Sequence, residues 1–442
     1  MYRLRINTDI RSINYKRQVL YSFIFKGFAL ALSLLSLPLM IKYLGVERYG
    51  VWSTILSILS WIVFFDLGIG NGLKNKISEY MAKNDFLKVK KYISNAYVMA
   101  TLISLVVLSL FLFLNAFLNW QKIFNTTSIP NKELYFAINI SAFFIFLNFI
   151  FGLINQIFSG LQKTSVAVFS QFLINLLILI CLWILYSFFS PSLVLISIFY
   201  GFSILFSTIL ISVYFYTKNK QFIPSFRFFD TNYIKSLISL SYKFFIIQVA
   251  VLVIFTTDKI LITQLFGPEY VTAYDVVYKL FSVITVFYGI ISTPLWPAYS
   301  SAYHKGDFKW IRNTMKKQFK FYFFILIVVF ILTVSSREII NIWVGNISLD
   351  YKITISIAIF VLVSVWNNIF AMFINAIDKL DIQLYTSLFG IFLNIPLSFF
   401  FVKFFNTGVE GIIIASILSL SLFSIAGPIQ SFLILTKRGG SL

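Results

Sequence analysis

The chain has 442 residues, of which 59% are hydrophobic and only 12% charged, and its formal charge is +20. A soluble domain carries about twice that share of charge, so the composition excludes a water-soluble globular protein. A single cysteine, Cys181, rules out an internal disulfide, and a single histidine, His304, leaves no His-based metal site or catalytic triad.

Apolar runs of about twenty residues recur along the chain, the length that crosses a hydrocarbon core of about 30 Å at about 1.5 Å per residue. In chain order they lie near Leu20 to Ile41, Val51 to Gly72, Tyr92 to Leu118, Leu134 to Gly160, Val166 to Phe189, Leu193 to Tyr216, Ser239 to Phe266, Val271 to Tyr299, Phe319 to Ser335, Ile353 to Ile377, Ile382 to Phe404 and Gly408 to Leu435. Twelve such runs describe an all-α, multi-pass membrane protein. The first is too long for a cleavable signal peptide and lacks a small-residue cleavage pattern, so it reads as a retained span.

The connectors orient these spans. Of the 36 Lys and Arg residues, 26 fall on one side, in segments such as Arg3 to Arg17, Lys74 to Lys91, Lys218 to Lys243 and Lys305 to Lys320. Seven lie opposite: Lys42, Arg48, Lys122, Lys132, Arg337, Lys352 and Lys403. The positive-inside rule therefore places both termini in the cytoplasm. The basic excess is topological, and no nucleic-acid partner is needed to explain it.

Outward connectors are short, the longest being about fifteen residues around Asn119 to Glu133. The inward segments Asn75 to Lys91 and Tyr303 to Lys320 read as amphipathic basic helices at the membrane surface. No glycine is followed by lysine, so there is no Walker A loop. The glycine-rich run Asp66 to Gly72, which includes Asn71, ends a membrane span instead of joining a strand to a helix, and reads as a flexible or closely packed helix end.

The two halves repeat. Leu44-Gly45-Val46-Glu47 matches Phe266-Gly267-Pro268-Glu269 at an offset of 222, and Asn148 with Asn155 matches Asn368 with Asn375 at an offset of 220. Both offsets are close to half the chain, which predicts a duplicated six-helix unit, residues 1–221 and 222–442, with the boundary in the basic connector Lys218 to Lys235. Six is an even number, so both units enter from the same side of the membrane, related by an axis along its normal.

The stretch Tyr43-Leu-Gly-Val-Glu-Arg-Tyr-Gly-Val-Trp52, with Trp61 and the run from Phe65-Asp66 to Glu79, resembles the opening of Wzx-type O-antigen and polysaccharide flippases. Thr257-Asp258-Lys-Ile-Leu-Ile262, Phe266-Gly267 and Pro294-Leu-Trp-Pro-Ala-Tyr299 extend the resemblance into the second half. It implies the superfamily shared with the MATE drug exporters and lipid II flippases, with two six-helix bundles forming a V around a central cavity. It further implies a cargo, an undecaprenyl-pyrophosphate-linked oligosaccharide moved from the inner to the outer leaflet of the bacterial plasma membrane.

Charges inside spans carry the physical reading, because each costs about 2.5–3.5 kcal/mol at a helix centre and normally faces a cavity or a partner. Lys26 and Asp66 sit at matched depth in the hairpin of spans one and two, and Lys259 and Lys279 at matched depth in spans seven and eight, beside Asp258 and Asp275. One reading makes these neutralising ion pairs, with Asp275 and Lys279 suitably spaced at i, i+4. In the other, Lys26, Lys259 and Lys279 present positive charge to a pyrophosphate while Asp66, Asp258 or Asp275 exchanges H⁺ or Na⁺.

Asn148, Asn155, Asn368 and Asn375 recur at helical spacing, as interhelical hydrogen-bond partners or as sugar contacts. Trp52, Trp61, Trp296 and Trp366 suit interfacial anchoring better than sugar stacking. The sequence thus points to an alternating-access flippase, not an enzyme, with no cofactor beyond a coupling ion. Its partners would be the lipid-linked oligosaccharide, membrane lipids, a polysaccharide polymerase and a chain-length regulator. A MATE-like exporter of small cations and a membrane-embedded polymerase or glycosyltransferase are the alternatives.

Overall fold

The computed structural model describes residues 2–61, 69–238, 242–347 and 350–439, and every regular element in them is helical. The first half runs through α1 (Tyr2–Leu44), α2 (Val46–Ser60), α3 (Ile69–Ala82), α4 (Phe86–Asn115), α5 (Trp120–Ile123), α6 (Asn131–Phe151), α7 (Leu153–Gly160), α8 (Thr164–Phe188), α9 (Leu193–Lys218) and α10 (Thr231–Ile238). The second contains α11 (Tyr242–Leu265), α12 (Pro268–Ser292), α13 (Leu295–His304), α14 (Phe308–Val334), α15 (Ser336–Trp343), α16 (Tyr351–Ala376), α17 (Asp381–Phe404) and α18 (Val409–Gly439).

Among the described residues, eleven segments are long and apolar enough to cross a membrane, and they coincide with eleven of the twelve expected spans. The remaining expected span, Val51 to Gly72, runs over residues 62–68, outside the described residues, with α2 and α3 on either side. Large apolar side chains such as Val106, Phe113, Phe330 and Phe392 point outward, as lipid contact requires, whereas serines and threonines are buried between helices.

Packing groups the helices into two units, Met1–Gly45 with Ile62–Tyr242, and Val46–Trp61 with Lys243–Leu442. This division differs from a cut at residue 221 in two places. The connector after α9 stays with the first unit because its backbone is held there. Asn95 donates from Nδ2 to the Phe228 carbonyl (2.7 Å) and accepts from the Asp230 N–H (2.8 Å), and the Ser94 hydroxyl accepts from the Ser225 N–H (3.0 Å). Phe222 is buried against Phe215, and Leu237 joins a core of Ile69, Leu73, Ile93 and Ile157. Gly72 permits that join, since a Cβ there would overlap the Leu237 carbonyl.

The second difference is α2, which packs along α12. A Cβ on Gly50 would overlap the Pro268 carbonyl, the Thr272 hydroxyl donates to the Val46 carbonyl (2.6 Å), and Trp61 Nε1 donates to Thr256 (2.7 Å). Trp52 is fully buried in this packing and anchors nothing at an interface, contrary to its sequence reading.

The duplication recurs in the turns. Left-handed backbone falls at Gly45 and Gly267, at Asn84 and Gly306, and at Asn125 and Gly345, offsets of 222, 222 and 220. After the second of these pairs, Asp85 caps α4 through the Lys88 N–H (3.0 Å) and Asp307 caps α14 through the Trp310 N–H (3.0 Å). That backbone N–H, followed by the Lys88 ammonium, holds the Asp85 carboxyl below its ordinary range. The basic segments Asn75 to Lys91 and Tyr303 to Lys320 are therefore helix ends joined by tight turns at residues 83–85 and 305–307: Asn75 to Ala82 ends α3, Phe86 to Lys91 opens α4, and Phe308 to Lys320 belongs to α14.

Candidate functional site

The second unit collects most of the charged groups read from the sequence. Helix α11 is mostly apolar, and its threonines return their hydroxyl protons to carbonyls one turn back, Thr257 to Val253 (2.6 Å) and Thr263 to Lys259 (2.7 Å). Gly267, at φ +116°, then reverses the chain, and Pro268 opens α12 with a φ already suited to a first helical turn. The reversal sets Lys259, eight residues before Gly267, opposite Asp275, eight residues after it.

Their contact is direct. Lys259 Nζ lies 2.6 Å from Asp275 Oδ1 and donates also to the Ser53 hydroxyl at 2.8 Å. The other carboxylate oxygen, Oδ2, accepts from the Tyr49 hydroxyl in a very short hydrogen bond and from Ser53 at 3.1 Å. The expected i, i+4 pair of Asp275 with Lys279 does not form, because Lys259, Tyr49 and Ser53 already occupy the carboxylate. Lys279 is half-buried and makes no ion pair among the described residues. Depth counting matched Lys259 with Lys279 because it ran eight residues on from Val271, four past the turn at Gly267.

Tyr49 and Ser53 were missed as partners of Asp275, although a signal existed: Ser53 and Asp275 are 222 residues apart, the repeat offset.

Asp258, one residue before Lys259, turns to another side of α11 and is buried, with no cation ion-paired to it among the described residues. Ser416 of α18 donates to its Oδ1 at 2.7 Å, Tyr274 of α12 lies 3.5 Å from Oδ2, and Asn394 of α17 donates to Ser416 at 2.8 Å. Four helices thus converge on one carboxyl group held by hydroxyls.

In the first unit, Lys26 is half-buried on α1 and Asn71 half-buried on α3. Asp66, expected to pair with Lys26, lies outside the described residues. Asn148 and Asn155 flank Gly152, where α6 gives way to α7, and each keeps a buried Oδ1 with no hydrogen-bond partner. Their counterparts Asn368 and Asn375, on the uninterrupted α16, also keep a buried, unpartnered Oδ1. Those two line a cavity of about 420 Å³ walled by α11, α12, α16, α17 and α18, with no charged residue in its lining. Trp366 is held away from it, its Nε1 donating to the Ser424 carbonyl (3.0 Å) and its ring stacked on Phe319.

Residues 15–303 match the family described as Polysaccharide biosynthesis protein. The chain belongs to that family. Residues 244–400 match the MatE family as well. Similar curated proteins are a provisionally named O-antigen export protein of Yersinia pseudotuberculosis, 24% identical over 78% of this chain and 79% of its own, and a provisionally named O-antigen transporter of Salmonella typhi, 25% identical over 79% and 80%. Among solved structures, an inward-facing multidrug resistance MATE family transporter of the MOP superfamily superposes with a TM-score of 0.73 at 12% identity, covering 96% of this chain and all of that one. A MOP superfamily transporter from Pyrococcus furiosus gives 0.70 at 12% identity over 97% of both. This member of the polysaccharide biosynthesis family therefore has the all-α MATE fold, and is a multi-pass membrane protein.

Proposed function

We propose that the protein is a flippase that carries an undecaprenyl-pyrophosphate-linked oligosaccharide from the cytoplasmic to the periplasmic leaflet of a bacterial inner membrane, with both termini in the cytoplasm. The observation that carries this reading is the character of the membrane-embedded polar groups in a chain of this family. Beside the carboxyls of Asp258 and Asp275 they are lysines, amides and hydroxyls, and Lys279 is half-buried with no carboxylate ion-paired to it among the described residues. A lysine within a span is costly unless it meets a counter-charge, and a cargo pyrophosphate supplies one. Lys26 would serve in the same way from α1.

An exporter of small organic cations shares this fold, and fold alone does not decide function. It calls for acidic walls, whereas the cavity of the second unit has none. In the flippase reading an exchanged H⁺ or Na⁺ drives alternating access, and Asp258, held by hydroxyls alone, is the coupling carboxyl in preference to Asp275, which Lys259 already neutralises. Asp66, outside the described residues, is the corresponding candidate in the first unit. Units delivered to the outer leaflet would pass to a polymerase and a chain-length regulator.

The test is gene deletion followed by leaflet-resolved analysis of lipid-linked intermediates. Repeat units should accumulate on the cytoplasmic leaflet and return to the outer one when the gene is restored. Intermediates that still reach the outer leaflet at the normal rate would refute the assignment.

A further inference from the structure

We propose that the cavity of the second unit is a binding site for an uncharged, hydroxyl-rich sugar of the cargo, separate from the lysines that would meet its pyrophosphate. This rests on the flippase reading and adds to it a place and a chemistry for the carbohydrate.

The first observation is charge. No Asp, Glu, Lys, Arg or His contributes to the lining, in a unit that holds Asp258, Lys259, Asp275 and Lys279 on two of the same helices. A cavity inside a membrane bundle that is polar but uncharged selects a solute that is polar but uncharged, because an ion would enter without a counter-charge.

The second is the direction of the hydrogen bonds. The lining hydroxyls spend their protons on the protein: Ser282 donates to the Lys279 carbonyl (2.8 Å), Ser364 to Phe360 (2.8 Å), Thr386 to Ile382 (2.9 Å) and Ser419 to Ala415 (2.9 Å). Their oxygens are left as acceptors. Asn368 and Asn375 add Oδ1 atoms, and Gln383 an Oε1 atom, that are buried with no partner. Gln383 is itself nine-tenths buried. Buried polar groups are normally satisfied, and each exception requires an explanation. Three amide oxygens on residues that line the cavity lack donors among the described residues, and sugar hydroxyls are donors that also accept from amide N–H groups.

The third is the apolar remainder. Phe255, Tyr278, Phe360 and Phe423 line the same space, and aromatic rings suit the C–H side of a pyranose. At about 420 Å³ the cavity falls within the roughly 300–1,000 Å³ range of small-molecule sites.

The experiment uses the full chain purified in detergent and two probes. One is the repeat-unit oligosaccharide freed from the host's lipid-linked pool by mild acid, which cleaves the sugar-phosphate bond; the other is undecaprenyl pyrophosphate without sugar. Binding is read by calorimetry and by thermal stabilisation. Wild-type protein should bind both. Asn375→Leu and Gln383→Leu, which remove the amides, should weaken the oligosaccharide by about tenfold or more and leave undecaprenyl pyrophosphate within about twofold. Thr386→Val, which keeps the shape and guards against a folding artefact, should weaken only the oligosaccharide, by a few-fold.

Wild-type protein that binds undecaprenyl pyrophosphate but not the oligosaccharide overturns the sugar site and leaves the flippase reading standing. So does stabilisation by Na⁺ that the three substitutions abolish while oligosaccharide binding is unchanged, which would make the cavity a cation cage. Failure of the flippase reading has a different signature, normal outer-leaflet delivery of intermediates in the deletion strain.

Discussion

The two halves carry the same pair of asparagines in different surroundings. In the first unit, Asn148 and Asn155 stand on either side of the break at Gly152, whose N–H is bonded back to the Asn148 carbonyl at 2.7 Å. Ile154, Ile157 and Phe158 beside them are packed into the hydrophobic core. In the second unit, the equivalent helix α16 is continuous, and Asn368 and Asn375 face a cavity. Duplication retained the polar positions and let their neighbours diverge, so an identical residue pair serves a break in a helix in one half and lines a site in the other.

The largest expected effect tests the charged cluster of the second unit. Lys259→Ala leaves Asp275 without its cation, and breaking a mostly buried pair of this kind costs about 3–5 kcal/mol. Surface polysaccharide should be lost, with Lys259→Arg retaining part of it because charge persists while geometry changes. Protein level in the membrane separates the causes. If level and export both recover in Lys259→Ala with Asp275→Asn, the pair is structural; if only the level recovers, the cation acts on cargo. A Lys259→Ala protein that accumulates and exports normally would remove the residue from the mechanism.

Next is α2. Gly50→Ala forces a methyl into the Pro268 carbonyl, and overpacking of this sort costs about 1–3 kcal/mol. A fall in Tm of several degrees in detergent is expected, while Gly27→Ala, where a Cβ meets nothing within 4 Å, should leave Tm unchanged.

The asparagines themselves give a middling effect and the sharpest comparison. Asn375→Leu should reduce export about tenfold, near 1.4 kcal/mol, and Asn155→Leu by no more than about threefold. Equal losses in both halves would show that the two pairs do the same work.

The smallest effect concerns the repeated caps. Asp85→Ala and Asp307→Ala each remove an N-cap acceptor and should lower Tm by a degree or two at most. The Asp85 carboxyl is depressed in the folded protein, so its contribution is present above the ordinary aspartate range near pH 4 and disappears as pH falls through the lower folded value. The gap in Tm between wild type and Asp85→Ala should therefore close on acidification and be constant from pH 6 to 8.

The spans were legible because twenty apolar residues have few other uses, and the repeat because Gly45 and Gly267 need left-handed backbone that few side chains adopt. The partner of Lys259 was not legible, since pairing depends on where the hairpin turns, and counting from Val271 instead of Gly267, an error of four residues, moved the match from Asp275 to Lys279. The cavity was invisible for a different reason. Asn368, Asn375 and Gln383 could be found in the sequence, but whether an amide is satisfied by a neighbouring helix or left open depends on packing between helices far apart in the chain. Trp52 shows the same limit, an aromatic near a span end that proved to be core.

The placement of α2 also bears on how the protein is made. Tyr49 and Ser53 leave the ribosome more than 200 residues ahead of their partners, 226 residues for Tyr49 to Asp275 and 222 for Ser53. At about 5–20 residues per second, this helix waits roughly 10–45 s in the bilayer with its tyrosine and serine hydroxyls lacking the carboxylate they will finally meet. The second unit can close only after a helix synthesised at the start is recruited to one synthesised midway. Severing the chain at its midpoint would therefore strand α2 with the wrong half, and the two fragments should assemble only when expressed together.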